Sequence, residues 1–132
     1  MTDKEWQALK DKTNKQRKPS RHLESKLQQS CVTWFRLQYP KYILFAIPNG
    51  GKRSKVEAKI MNGEGVLAGV ADLFLMCPRK GYCGLFIEMK YGEGKQSDNQ
   101  ELFEINAEAF GYKYVIADSF DRFRIEINNY LK

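Results

Sequence analysis

The chain has 132 residues, about one domain's worth, of which 42% are hydrophobic, 13% aromatic and 29% charged, a balance that supports one packed core and excludes a wholly disordered chain. Its 22 basic and 16 acidic side chains leave a formal charge of +6, of which +4 falls in residues 1–22. A second basic group, Lys52, Arg53, Lys55 and Lys59, surrounds the single acid Glu57. A basic arm and a basic loop suit a polyanion, because neutralised phosphates release their counterions, and they equally suit a solvated face.

The longest uninterrupted apolar run, Tyr42 to Ile47, is far shorter than the ~18 residues of a membrane span. Met1 to Lys18 is studded with charge and lacks the apolar segment of a secretory signal, so a cytoplasmic protein with no membrane association is expected. Cys31, Cys77 and Cys83 are too few and too widely spaced for a disulfide scaffold or a zinc ribbon. The single histidine, His22, removes most zinc-hydrolase and Ser-His-Asp schemes, which leaves carboxylates and lysine to carry any chemistry.

In chain order, residues 1–20 lack a sustained apolar period and read as a flexible basic arm, with the folded domain occupying 21–132. From Arg21 to Tyr39, Leu23, Leu27, Cys31, Trp34 and Phe35 recur at helical spacing, with Ser20 as cap and Pro40 as stop. Tyr42–Ile47 reads as a strand ended by Pro48-Asn49-Gly50-Gly51, and Ser54–Met61 as a short helix before a glycine-spaced connection through Gly65 and Gly69. Val70–Cys77 and Tyr82–Met89 read as a hairpin around Pro78-Arg79-Lys80-Gly81. Ser97-Asp98-Asn99-Gln100 forms a capping box for a helix to Phe110, followed by a strand at Tyr112–Ala117 and a helix at Ser119–Leu131. This mixture predicts one α/β sheet flanked by helices, in a single domain.

Side chains alternate along a strand, so Glu88 and Lys90 share a face. A turn centred on Lys80 sets Asp72 opposite Glu88 on that face, and Cys77 opposite Cys83 as core neighbours on the other. Two facing carboxylates repel unless a cation sits between them, and Mg²⁺ takes one or two carboxylates together with waters and a substrate phosphate. Lys90 could then orient a metal-bound water and offset charge on the phosphate. The alternative is a hairpin whose acids face solvent and whose lysine protects an edge. Neither Gly51-Lys52-Arg53 nor Gly94-Lys95-Gln96 has the hydroxyl or the glycine spacing of a nucleotide-binding loop, so no nucleotide cofactor is expected.

The runs Gly69-Val70-Ala71-Asp72-Leu73-Phe74-Leu75 and Phe86-Ile87-Glu88-Met89-Lys90 together resemble the bipartite motif of the PD-(D/E)xK nuclease superfamily. Glu24 with Gln28 on the first helix, Pro48 to Arg53 after the first strand, and Gln100 after the lysine are similar to the VRR-NUC branch, the virus-type replication-repair nucleases. The resemblance spans about residues 21–117. It implies a restriction-endonuclease-like core of αβββαβ order. Ala71 stands where the family has a proline, a residue that shapes the start of the strand and binds no metal.

Carried over residue by residue, the resemblance implies that Asp72, Glu88 and the Met89 carbonyl hold Mg²⁺ or Mn²⁺, with Lys90 activating water. Glu24 would reach a second metal or its water shell, and Gln100 would position Lys90 or the phosphate. A helix-terminal acid and a plain capping residue are the bland readings of these last two. Asn49, Gly50 and Gly51 offer turn amides beside Lys52, Arg53 and Lys55 as a DNA-contact surface. The expected function is a metal-dependent DNA endonuclease acting as a homodimer on branched DNA such as a Holliday junction, in a phage or bacterial cytoplasm. A catalytically silent DNA-binding protein and a restriction-type endonuclease are the competing readings.

Overall fold

The computed structural model describes residues 2–48 and 54–132, with residues 8–21 described in backbone only. Helix α1 runs Asp3–Gln38, so the segment expected as a flexible arm is helical and continuous with the helix expected from Arg21. Its start is set by a capping box: the Thr2 hydroxyl accepts from the Glu5 N–H at 3.2 Å and the Glu5 carboxylate accepts from the Thr2 N–H at 3.1 Å. Apolar periodicity finds only helices that bury a face, whereas caps and a run of Lys, Gln and Arg specify helix locally. Tyr39 ends the helix, its N–H donating to the Phe35 carbonyl at 2.8 Å ahead of Pro40.

Strand β1 (Leu44–Ala46) is followed by α2 (Lys55–Gly63), which Ser54 caps and which buries none of its side chains. Strands β2 (Leu73–Leu75) and β3 (Leu85–Met89) form the central hairpin. Helix α3 (Asp98–Ala109), β4 (Lys113–Ala117) and α4 (Phe120–Leu131) complete the chain. The four strands lie in the order β1-β2-β3-β4, antiparallel except for the parallel pair β3 and β4 that α3 connects. This is the mixed α/β sheet that the order of elements implied.

The hairpin register pairs Leu73 with Ile87, Phe74 with Phe86 and Leu75 with Leu85. Its turn sits half a residue later than expected: Arg79 and Tyr82 exchange both backbone hydrogen bonds around Lys80 and Gly81, which have φ of 52° and 85°. Both central residues are left-handed, as a type I′ turn requires. The mismatch is absorbed between Leu75 and Arg79, where the Cys77 N–H folds back to the Leu75 carbonyl at 3.0 Å and the strand carries one extra residue. That bulge keeps the register at the acidic end and breaks it at the turn. Cys77 and Cys83 are therefore not facing core neighbours: Cys77 is buried and Cys83 is exposed beside Gly111.

One face of the sheet presents Leu44, Leu73, Leu75, Leu85, Ile87 and Met89, which pack with Cys31 and Phe35 of α1 and Phe123, Ile127 and Tyr130 of α4. The Tyr130 hydroxyl donates to the Cys77 carbonyl at 2.6 Å and ties α4 to the bulge. The opposite face carries an aromatic row, with Phe45 and Phe74 at 5.7 Å, Phe74 and Phe86 at 4.6 Å, and Phe86 and Phe103 of α3 at 5.0 Å between ring centroids. Glu88 continues the Phe86 position along that face, toward α3, and Asp72 lies across from it just ahead of β2.

Candidate active site

Glu88 lies one residue from the end of β3 and is only 2% exposed, the one buried charged side chain among the described residues. Asp72, just ahead of β2, accepts from the Met89 N–H through Oδ2 at 2.7 Å, so the neighbouring strand's backbone fixes its carboxylate. Burial first, and then the hydrogen bond and charge of Asp72, push Glu88 up to about 9, against a smaller opposing pull from Lys90. Glu24 adds to the rise through space. Without a cation, the acid pair holds a proton at neutral pH.

Gln100 organises the rest. Its Oε1 accepts from the Lys90 ammonium at 2.9 Å and from the Ser97 N–H at 2.9 Å, while its Nε2 donates to Glu88 Oε1 at 3.1 Å. Both groups facing Oε1 are pure donors and the group facing Nε2 is a carboxylate oxygen, which fixes the orientation of the amide. Lys90 Nζ also lies 3.7 Å from Glu88 Oε1. Glu88 Oε1 is thus engaged, whereas Oε2 is buried and receives no N–H or hydroxyl donor among the described residues, so that only the proton shared with Asp72 can satisfy it. An orphaned carboxylate oxygen beside a second carboxylate fits a hard cation that takes oxygen ligands and keeps its own waters.

The other expected site residues fall as follows. Glu24 on α1 and Asp72 line one polar cavity of about 500 Å³, which brings the first helix to the acid pair. No group of three His, Cys, Asp or Glu side chains among the described residues is close enough to hold an ion, so the donor set is a carboxylate pair with Glu24 outside it. Met89 is buried at the end of β3, next to Glu88 in the chain and joined through its N–H to Asp72. Lys55 is exposed at the start of α2. Asn49, Gly50, Gly51, Lys52 and Arg53 lie outside the described residues.

Four residues to which the sequence assigns no part in the site support it from behind. Gln96 Nε2 donates to Glu104 at 3.0 Å and to the Tyr114 hydroxyl at 3.2 Å, joining the loop after Lys90 to α3 and β4. Gly69, with φ of 90°, brings its backbone against the first turn of α3, where a Cβ would meet the Asn99 carbonyl at 2.5 Å. No spacing rule marks the Gln96 contact, since it joins three elements through side chains alone.

No family model matches the sequence, and no curated protein matches it. A solved structure described as a VRR_NUC domain protein aligns with a TM-score of 0.69 and 24% identity, covering 82% of this chain and 87% of that one. No helix among the described residues is long and apolar enough to cross a membrane. The chain therefore has the fold of a VRR_NUC domain, the restriction-endonuclease-like α/β arrangement that its motifs resemble.

Proposed function

We propose that the protein is a metal-dependent nuclease that hydrolyses DNA phosphodiester bonds, and that it acts as a homodimer on branched DNA. The observation that carries the reading is the orphaned Glu88 Oε2 beside Asp72, with Lys90 held against the opposite oxygen. Asp72, Glu88 and the Met89 carbonyl would hold Mg²⁺ or Mn²⁺, with Glu24 reaching its water shell. Such an ion, when bound, supplies a Lewis acid for the phosphate and lowers the pKa of a water.

The chain's own part is positioning and charge. Lys90, kept in place by Gln100, puts a cation where the non-bridging oxygens of a phosphodiester gain negative charge as a water oxygen bonds to phosphorus and the bond to the leaving sugar oxygen breaks. Gln100 holds Glu88 Oε1 and leaves Oε2 facing the site. A DNA-binding protein without catalysis gains nothing from a buried acid pair that repels phosphate, which favours the nuclease over its silent alternative.

The test is cleavage of a labelled four-way junction beside linear duplex and single strand, in Mg²⁺, in Mn²⁺ and in EDTA, with wild type, Asp72→Ala and Lys90→Ala. Metal-dependent cutting that both variants lose is the expected result. Tight junction binding with no cutting in either metal would select the silent DNA-binding reading. Sedimentation at assay concentration reads the dimer separately, and a monomer there would remove the paired-cut model while sparing the nuclease.

A further inference from the structure

The cavity that joins Glu24 to Asp72 continues along α1 past Ser25, Gln28, Gln29 and Thr33 to Arg36. These positions recur every three to four residues and so form one stripe of the helix. At ~1.5 Å of rise per residue the stripe is about 18 Å long from Glu24 to Arg36. That is long enough for several consecutive phosphates of one strand to lie along it.

Its chemistry is that of a phosphate track. Residues 25–38 contain no Asp or Glu and carry two cations, Lys26 and Arg36. The stripe offers hydroxyl and amide donors, which contact phosphate oxygens without adding charge, and ends in an arginine, whose planar fork matches a phosphate. A peptide partner would need apolar anchors, and among the described residues the only apolar side chain lining the cavity is Val32. The acids are confined to the far end, where Arg36 is too distant to neutralise them.

Resting on the nuclease reading, we infer that this stripe of α1 is the track on which one polynucleotide strand lies as it enters the site, with Arg36 as its distal phosphate anchor. Arg36 is exposed in the last turn of α1, where it also complements the helix C-terminal carbonyls, so the test must separate substrate binding from helix stability.

Anisotropy titrations of labelled single-stranded and duplex DNA against the full chain in EDTA, at several salt concentrations, make that separation. Arg36→Ala is expected to weaken binding about 5- to 10-fold at moderate salt and to lower the slope of log affinity against log salt by about 0.7 to 0.9, one phosphate contact. Arg36→Lys should restore the slope. Gln28→Ala with Thr33→Val should weaken binding without changing it. Arg124→Ala, which removes one exposed cation paired with Asp121 on α4, controls for net charge and should match wild type. If wild type binds and cuts but Arg36→Ala is indistinguishable from Arg124→Ala, the track is wrong and the nuclease stands. If wild type neither binds DNA nor cuts it, the nuclease reading fails and takes the track with it.

Discussion

Gln100 donates to Glu88 Oε1 at 3.1 Å with the same side chain that accepts the Ser97 N–H to complete the capping box of α3. Capping and catalytic support are usually weighed as alternatives for such a residue. Here one amide does both, since the cap fixes Oε1 and leaves Nε2 a single direction in which to donate. The start of α3 is thereby set against the end of β3, and Lys90 is held by the oxygen that the cap has already placed.

Separating the two roles gives the first prediction. Ser97→Ala removes the hydroxyl that accepts from the Gln100 N–H but keeps the Ser97 backbone donor, so it should cost about 1 kcal/mol of stability and change the cleavage rate only slightly. Gln100→Ala should cost about 1–2 kcal/mol and also reduce cleavage about 100-fold, because Lys90 and Glu88 both lose their tether. Urea midpoints and single-turnover rates on the two variants check this. Equal rate losses in both would make Gln100 a cap and nothing more.

Gly69 gives the second. An alanine there must hold φ near 90° and set its Cβ 2.5 Å from the Asn99 carbonyl, a backbone atom that cannot swing aside. Gly69→Ala should lose at least about 2 kcal/mol and displace the first turn of α3, taking Gln100 with it. Gly63→Ala, with nothing within 4 Å of its Cβ, is the control and should stay near wild type. The urea midpoint reads both, and a wild-type value for Gly69→Ala would remove the close approach.

The acid pair was legible because two simple periods converge on it. Strand alternation puts Glu88 and Lys90 together, and the turn signal at Pro78 to Gly81 brings Asp72 across. The turn itself is centred between Lys80 and Gly81, and only the bulge near Cys77 keeps Leu73 opposite Ile87. The same bulge takes Cys83 out of line with Cys77, since a register argument cannot foresee an inserted residue. The helical 3–20 segment escapes periodicity for a different reason: Thr2 and Glu5 form a readable capping box, but the apolar period that marks the buried part of α1 starts only at Leu23. The Gln96, Glu104 and Tyr114 contacts leave no trace in any period, because they exist only once three elements have packed.

Thiol reactivity tests the hairpin's far end. Cys31 is fully buried, with its thiol pushed up to about 11 by burial, and Cys77 is buried in the core, whereas Cys83 is exposed. A chromogenic disulfide reagent at pH 8 should therefore titrate one thiol in the native protein and three after denaturation. Cys83→Ser should abolish the native reaction. Two fast native thiols would mean that Cys77 is open to solvent and the bulge is misplaced.

The buried proton at Glu88 makes stability depend on pH in a direction that separates it from ordinary acid unfolding. The unfolded carboxyl titrates at its ordinary value of 4.5 and the folded one at about 9, so between these values the folded, metal-free protein keeps a proton that the unfolded chain has lost. Stability binds to that proton: the contribution is complete below about 4.5 and is lost as pH rises toward 9. Glu88→Gln keeps the side chain's size and its neutral form at every pH, so its melting temperature in EDTA should lack this decline. A divalent cation reverses the sign, because it favours the carboxylate and releases about one proton as it binds, and its stabilisation of wild type should therefore grow from pH 6 to pH 8. Melting curves of both proteins at pH 5, 7 and 9, with EDTA or with Mg²⁺, read all three effects. A wild type that tracks Glu88→Gln across the whole range in EDTA would mean that Glu88 is already ionised without a metal, and the proton release on cation binding would vanish with the shifted carboxyl.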